Sequence, residues 1–184
     1  MIRWLVLLFV LLAVVEVKGC PPIISRSQWG SRGKPCGKNF LLPVPGVIIH
    51  HTAGASCNSK SSCSAQVRNI QNMHKNGNKW CDIGYNFLIG GDGSILEGRG
   101  WKTVGVHAAN ANSVNIGISF IGTFTSRAPS NAALNAAKRL ISCGVAKGYI
   151  KKEYRLRGHR NVNKTECPGN SLYKIIKGWP RFRA

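Results

Sequence analysis

Acidic side chains are scarce in this sequence. Six Asp and Glu stand against 26 Lys and Arg in 184 residues, giving a formal net charge of +20 at pH 7. Enzymes that cut glycan chains normally need two carboxylic acids flanking the scissile bond, so the shortage argues against a glycosidase. The positive field instead favours anionic partners at long range: anionic bacterial surfaces, anionic lipid, glycosaminoglycan or nucleic acid. We predict no nucleic-acid partner, because no nucleic-acid-binding motif is present and because the signal peptide and disulfides predicted below argue against one.

Long apolar stretches are also missing beyond the N-terminus. Arg3 precedes an apolar stretch over residues 4–15, and small or permitted residues follow at positions 17–19. This stretch is shorter than the roughly 18 residues of a membrane-spanning helix. A basic start, a short apolar stretch and a cleavage point are typical of a secretory signal peptide. We therefore predict a signal peptide at residues 1–19, no transmembrane segment, and a secreted, extracellular domain at residues 20–184.

The cysteines are odd in number. An oxidising compartment favours their pairing, and seven of them leave one without a partner. Cys57 and Cys63 flank a short polar loop and form the natural local pair. Two further bonds join Cys20, Cys36, Cys81 and Cys143 in one of three possible pairings. The cysteine left over is Cys167, and a free secreted thiol is a liability, so we interpret it as a metal thiolate. The alternative is an unpaired cysteine available for dimerisation.

A metal site is predicted around that thiol. His159 and Cys167 are eight positions apart on one predicted loop, which closes at little entropic cost. A third ligand, His50, ends a buried apolar stretch far upstream; its alternative is an ordinary buried strand histidine. Two imidazoles and one thiolate leave the fourth corner of a tetrahedral zinc open, which is the catalytic pattern. His51 points to the other side of the strand and is not expected to bind the metal.

The hydrophobic periodicity predicts a mixed fold. Helices are predicted where apolar residues recur at helical spacing and strands where they alternate or run together. The predicted strands cover residues 46–51, 85–89, 94–97, 114–120 and 154–157, and the predicted helices cover residues 64–75, 130–147 and 171–179. We therefore expect an α/β fold: a central mixed β-sheet flanked by helices in a single disulfide-stapled domain.

Six short segments, in order along the chain, carry a family resemblance. They are residues 24–30 (ISRSQWG), 50–53 (HHTA), 81–87 (CDIGYNF), 97–101 (EGRGW), 158–160 (GHR) and 167–169 (CPG). Each alone is a weak motif, but together they span about 150 residues in the right order. The chain thus resembles the short peptidoglycan recognition proteins, relatives of the phage lysozymes that act as amidases.

The resemblance implies an activity and a pattern of disulfides. The family's zinc ligands match His50, His159 and Cys167. Because this chain keeps all three, it resembles the zinc-dependent N-acetylmuramoyl-L-alanine amidases of innate immunity. Tyr85 and Thr165 match two further catalytic positions: Tyr85 helps to hold the oxyanion, and Thr165 adds a hydrogen bond or holds the loop. The family's disulfides imply the pairs Cys20–Cys143, Cys36–Cys81 and Cys57–Cys63.

The resemblance also implies how bacterial peptidoglycan is bound. His51 and Thr52 match residues that line the substrate groove, as do His74 and His107, although each of the latter two alone reads equally well as a surface histidine.

Lys79, Trp80 and Arg99 match positions that sort diaminopimelate from lysine stem peptides. Arg99 suits the extra carboxylate of diaminopimelate as a bidentate partner, and Trp80 is similar to residues in diaminopimelate binders, whereas Lys79 departs from the usual glycine. The competing functions are a non-catalytic peptidoglycan receptor and a cationic bactericidal protein.

Overall fold

The computed structural model describes residues 19–184. The predicted signal peptide therefore lies outside the described residues, apart from Gly19 at its end. Within the described range, no helix combines the length and the apolar character needed to cross a membrane.

A mixed sheet of six strands forms the centre of the fold, in the order β1-β4-β3-β5-β2-β6. The strands are β1 (Ile23–Ile24), β2 (Val44–His51), β3 (Phe87–Ile89), β4 (Ile95–Glu97), β5 (Asn115–Phe120) and β6 (Ile150–Gly158). β3 and β4 form the predicted antiparallel hairpin, and the other neighbouring pairs are parallel. The expected α/β class with a mixed central sheet is confirmed.

Helices cover both faces of this sheet. They are α1 (Arg26–Trp29), α2 (Lys60–Asn72), α3 (Asn131–Ala146) and α4 (Asn170–Ile176). Val47 and Ile118 belong to the core cluster that includes α3 and α4, while Leu88 packs with Trp29 of α1 and Val67 of α2. Because central parallel strands are buried on both faces, all six residues of β5 are buried, including the polar positions of its alternating pattern.

Several element boundaries differ from the predicted ones. The helix predicted at residues 64–75 begins at Lys60, because Ser59 caps its polar first turn, and it continues after Asn72 as a π-helical turn, Met73–Gly77. The strand predicted at residues 154–157 is the end of the longer β6, whose first half is polar and exposed at the sheet edge. The two-residue β1 and four-residue α1 are too short for periodicity to reveal.

Disulfides fasten the peripheral segments to this core. The bonds are Cys20–Cys143, Cys36–Cys81 and Cys57–Cys63, the pairs implied by the family resemblance. Cys167 is the free cysteine of the described chain. The N-terminal segment is held additionally by Arg26, whose guanidinium lies 2.9 Å from the buried carboxylate of Asp82.

Candidate metal centre

The sheet topology brings three candidate ligands to one edge. β2 and β6 are parallel neighbours, so their carboxyl ends lie side by side. His50 lies at the end of β2, and His159 begins the short 3₁₀ helix that directly follows β6. Cys167 lies on the following loop, which is closed by a 2.9 Å hydrogen bond from Arg160 N to its carbonyl oxygen. The candidate ligand atoms of His50, His159 and Cys167 all lie within 4.8 Å of one another.

Their geometry and chemistry fit a zinc ion. Cys167 Sγ lies 3.7 Å from His50 Nδ1, and the His50 and His159 ring centroids are 4.4 Å apart. A tetrahedral zinc, with Zn–S of about 2.3 Å and Zn–N of about 2.0 Å, implies a sulfur–nitrogen separation of about 3.6 Å. Imidazole and thiolate are also the donors that zinc prefers. The residues present therefore fit this metal with one corner left for a ligand.

Burial decides the protonation of these groups before any metal binds. Burial, followed by the charges of His107 and His159, lowers the pKa of His50 well below its ordinary value, and burial also lowers the pKa of His159. Both rings are therefore neutral, as metal ligands must be. Burial raises the pKa of the Cys167 thiol to about 11, although the backbone N–H of His51 and the charge of Arg160 oppose the shift. Metal binding must consequently displace the thiol proton.

Tyr85 and Thr165 lie beside this group in different roles. The ring centroid of Tyr85 is 5.4 Å from that of His50. Burial and the nearby Cys167 raise the pKa of Tyr85 to about 12, although the neighbouring Ser119 hydroxyl opposes the shift. Its hydroxyl is therefore a proton donor at neutral pH. Thr165 Oγ1 accepts a 3.2 Å hydrogen bond from Cys167 N, so Thr165 holds the loop that carries the thiol.

His51 and Thr52 fasten the loop that follows β5. His51 Nδ1 accepts a 3.2 Å hydrogen bond from Phe124 N, and Thr52 Oγ1 accepts one of 2.9 Å from Gly122 N. The backbone N–H of His51 also points at Cys167 Sγ, at 3.4 Å. These contacts support the local architecture, and the role of both side chains in a substrate groove stays a prediction.

His74 and His107 are buried, with exposed fractions of 5% and 8%, so their interpretation as ordinary surface histidines is wrong. His74 Nδ1 accepts a 3.0 Å hydrogen bond from Gly84 N, and its ring packs on Trp80 at a centroid distance of 4.8 Å. His107 Nδ1 lies 3.0 Å from His50 Nε2. No local sequence pattern predicts the contact between His107 and His50, because the two histidines are 57 positions apart.

Lys79 and Arg99, two of the three predicted specificity residues, have distinct environments. Lys79 is exposed and has a φ of +60°, which explains physically why a glycine suits this position. Arg99 is 3% exposed. Its Nε donates to Ile83 O at 2.7 Å, and its Nη1 donates to Cys36 O and Val104 O at 2.7 and 3.1 Å. A bidentate bond to a carboxylate would therefore have to replace one of these backbone bonds.

Comparison with known proteins places this geometry in context. The family model described as "N-acetylmuramoyl-L-alanine amidase" matches residues 41–170. Peptidoglycan recognition protein 1 of Bos indicus is 45% identical over 185 residues, which cover 98% of this chain and 97% of the relative.

Among solved structures, bumblebee PGRP-SA superposes with a TM-score of 0.87 at 46% identity, covering 89% of this chain and 98% of that one. Human PGRP-IβC, solved in complex with glycosamyl muramyl pentapeptide, gives a TM-score of 0.87 at 45% identity over 90% of this chain and 100% of its own.

Proposed function

Because the chain belongs to the peptidoglycan recognition proteins of the N-acetylmuramoyl-L-alanine amidase family, we propose that it is a zinc-dependent amidase of innate immunity. Its substrate is bacterial peptidoglycan, in which it hydrolyses the lactyl-amide bond between glycan and stem peptide. The observation that carries this proposal is the convergence of His50, His159 and Cys167 within 4.8 Å. A peptidoglycan-binding module has no need of a zinc-compatible set with an open corner, whereas a hydrolase does.

The side chains around the site support defined roles in amide hydrolysis. Zinc bound to this trio supplies Lewis-acid polarisation and a nucleophile derived from water. The Tyr85 hydroxyl, whose raised pKa keeps it protonated in the metal-free protein, donates a hydrogen bond to the developing oxyanion. Thr165 and the backbone N–H of His51 hold Cys167 in position. The nearest loop carboxylate, Glu166, is 87% exposed and lies 3.8 Å from Arg160, so it takes no part.

The test is a mass analysis of digested peptidoglycan. The wild-type protein should bind one zinc ion and release free stem peptide, and a chelator should stop the release. Cys167→Ser should lose cleavage while retaining most peptidoglycan binding, because the thiol contributes to the metal rather than to the groove. Full cleavage by the serine variant, or by the chelated protein, would reject the amidase. Binding without any cleavage by the zinc-loaded wild type would leave a non-catalytic receptor.

We further propose that the preferred stem peptide contains diaminopimelate. Arg99 and Trp80 match the positions that sort the two stem peptides. Among residues 19–184, the single hydrogen-bond partner of Arg99 Nη2 is Cys81 Sγ, 3.9 Å away. We propose that a carboxylate of the substrate accepts one hydrogen bond from that nitrogen, rather than a bidentate pair, while Nε and Nη1 keep their backbone bonds. Arg99→Lys should lower the ratio of diaminopimelate to lysine peptide cleavage. Thermal melting of the variant separates this effect from loosening of the backbone that Arg99 holds, and an unchanged ratio in a folded variant would remove the argument.

Secretion is part of the proposal. The Cys20–Cys143 bond supports an oxidising compartment and lies just after the predicted leader. Expression in a secreting host should yield a mature chain that begins near Cys20, as N-terminal sequencing would determine. A product that retains residues 1–18 would contradict the signal peptide.

A cationic bactericidal activity is a second candidate function. In residues 19–184, only Arg26 and Arg160 pair with carboxylates, which leaves most of the positive charge uncompensated. Such charge favours anionic bacterial surfaces. Killing by this route should survive the chelator and weaken as salt rises from 0.01 to 0.15 M, where the Debye length falls from about 30 Å to about 8 Å. Killing that stops with the chelator at constant salt would assign it to the amidase alone.

A further inference from the structure

His107 fills the space directly behind the candidate ligand His50. Its ring lies over Gly117 of β5, where any Cβ atom would collide with the imidazole. The His50 and His107 rings meet edge to face with centroids 4.9 Å apart. Both side chains are buried, so water does not compete for the contact between them.

The direction of the hydrogen bonds that join Asn115, His107 and His50 follows from the Asn115 carbonyl oxygen. His107 Nε2 lies 3.3 Å from the backbone oxygen of Asn115, which can only accept. Nε2 therefore carries the proton, and in a neutral ring Nδ1 is then the acceptor. That acceptor faces His50 Nε2 at 3.0 Å. His50 Nε2 must consequently be the N–H donor, and its Nδ1 keeps a free lone pair.

The free nitrogen is the one that faces the thiol. His50 Nδ1 is 3.7 Å from Cys167 Sγ, whereas Nε2 is occupied by His107. We propose that His107 is a positioning residue: through the Asn115 carbonyl it fixes the tautomer and orientation of His50, so that Nδ1 is the metal-binding atom. This inference rests on the proposed zinc site and gives His107 a role that a groove contact does not include.

The expected change in zinc affinity follows from the known contribution of residues that hydrogen-bond to a metal-binding histidine. Hydrogen bonds that orient a metal-binding histidine typically change metal affinity by roughly 10–100-fold. His107→Leu fills the space but removes the acceptor, so zinc should bind roughly 10–100-fold more weakly. His107→Asn places an amide oxygen near the position of Nδ1 and should recover most of that loss. A residue that only contacted substrate would leave the affinity for zinc unchanged in both variants.

The experiment measures zinc dissociation constants by competition with a chromogenic chelator. His74→Leu is the matched control, because His74 is equally buried and also accepts a hydrogen bond at Nδ1, but from Gly84 N. The control should bind zinc like the wild type. Equal affinities for His107→Leu and the wild type would overturn the proposal, as would equal weakening by His107→Leu and His107→Asn. A wild type that binds no zinc would overturn the amidase proposal as well, which distinguishes the two failures.

A spectroscopic readout on the unaltered chain covers the case in which His107→Leu fails to fold. Two-bond ¹H–¹⁵N spectra should show metal-free His50 as the Nε2–H tautomer, and zinc should shift its Nδ1 resonance. Zinc binding at Nε2 of His50 would refute the assignment, whatever the variants do.

Discussion

Zinc binding to this chain should displace one proton from Cys167. Burial raises the pKa of this thiol to about 11, whereas burial lowers the pKa of His50 and His159 below the ordinary histidine range. Above pH 7 both imidazoles are neutral, so only the thiol must ionise in order to bind. Because a thiol with a pKa of about 11 is mostly protonated between pH 7 and 9, its contribution to apparent affinity should rise about tenfold for each unit of pH in this range.

The free-energy cost of ionising Cys167 can be calculated from the pKa of its thiol. At pH 7 the thiol is four units below a pKa of about 11, so ionising it costs about 5 kcal/mol. Apparent free energies of zinc binding to structural sites in peptides are about 10–16 kcal/mol at pH 7, and these values already include the ionisation of ordinary thiols. Only the excess of the Cys167 pKa over an ordinary thiol pKa of about 8.5 counts against them, so the cost weakens binding without preventing it.

The matched control is Cys167→Asp, whose carboxylate is a zinc ligand that is already ionised at neutral pH. Calorimetry in two buffers of different protonation enthalpy counts the released protons. The wild type should release about one proton more per zinc than Cys167→Asp, and its relative affinity should rise with pH. Ionisation of water on the metal is common to both proteins and cancels in the difference. Equal proton release at every pH would refute the assignment of a protonated Cys167 as the third ligand.

Three further predictions address stability and catalysis. Asp82→Asn should destabilise the fold by about 3–5 kcal/mol in denaturant unfolding, because it leaves Arg26 charged and unpaired in the interior; Glu166→Gln, which removes the exposed pair, should cost less than about 1 kcal/mol, and equal losses would contradict the distinction. Lys79→Gly should raise stability by up to about 1 kcal/mol, since it relieves a φ of +60°, and a lower melting temperature would count against that strain. Tyr85→Phe should lower kcat without changing zinc stoichiometry, and an unchanged kcat would remove its hydroxyl from the mechanism.

The fold was predictable where local patterns report burial. The apolar residues that end in His50 mark β2, and the helical spacing after Ser130 marks α3, whose N-terminus that serine caps. The polar half of β6 and the first turn of α2 escaped prediction, because both lie at exposed edges of the sheet and helix layers. Patterns of hydrophobicity report the packed face of an element and are silent about its solvated ends.

In the candidate site, residues that lie close in sequence could be predicted, whereas contacts between distant segments could not. His159 and Cys167 could be predicted as ligands because they lie on one loop. The odd number of cysteines indicated that one of them is unpaired, and Cys167 is that free cysteine. Nothing in the sequence relates His107 to His50, since their contact depends on β5 lying beside β2.

The fold also explains why the sequence predicted the chemical type of partner for Arg99 but not its hydrogen bonds to the backbone. Its residue type suits a carboxylate, but its three backbone acceptors come from separate loops that only the folded chain assembles. Residue type thus predicts which groups are able to bind metal or substrate, and topology decides which of their hydrogen-bonding atoms are already in use. For His50 and Arg99 the informative observation is therefore which ring or guanidinium nitrogen has no backbone or imidazole partner in the described part of the chain: Nδ1 of His50, which faces the Cys167 sulfur, and Nη2 of Arg99, which faces the Cys81 sulfur.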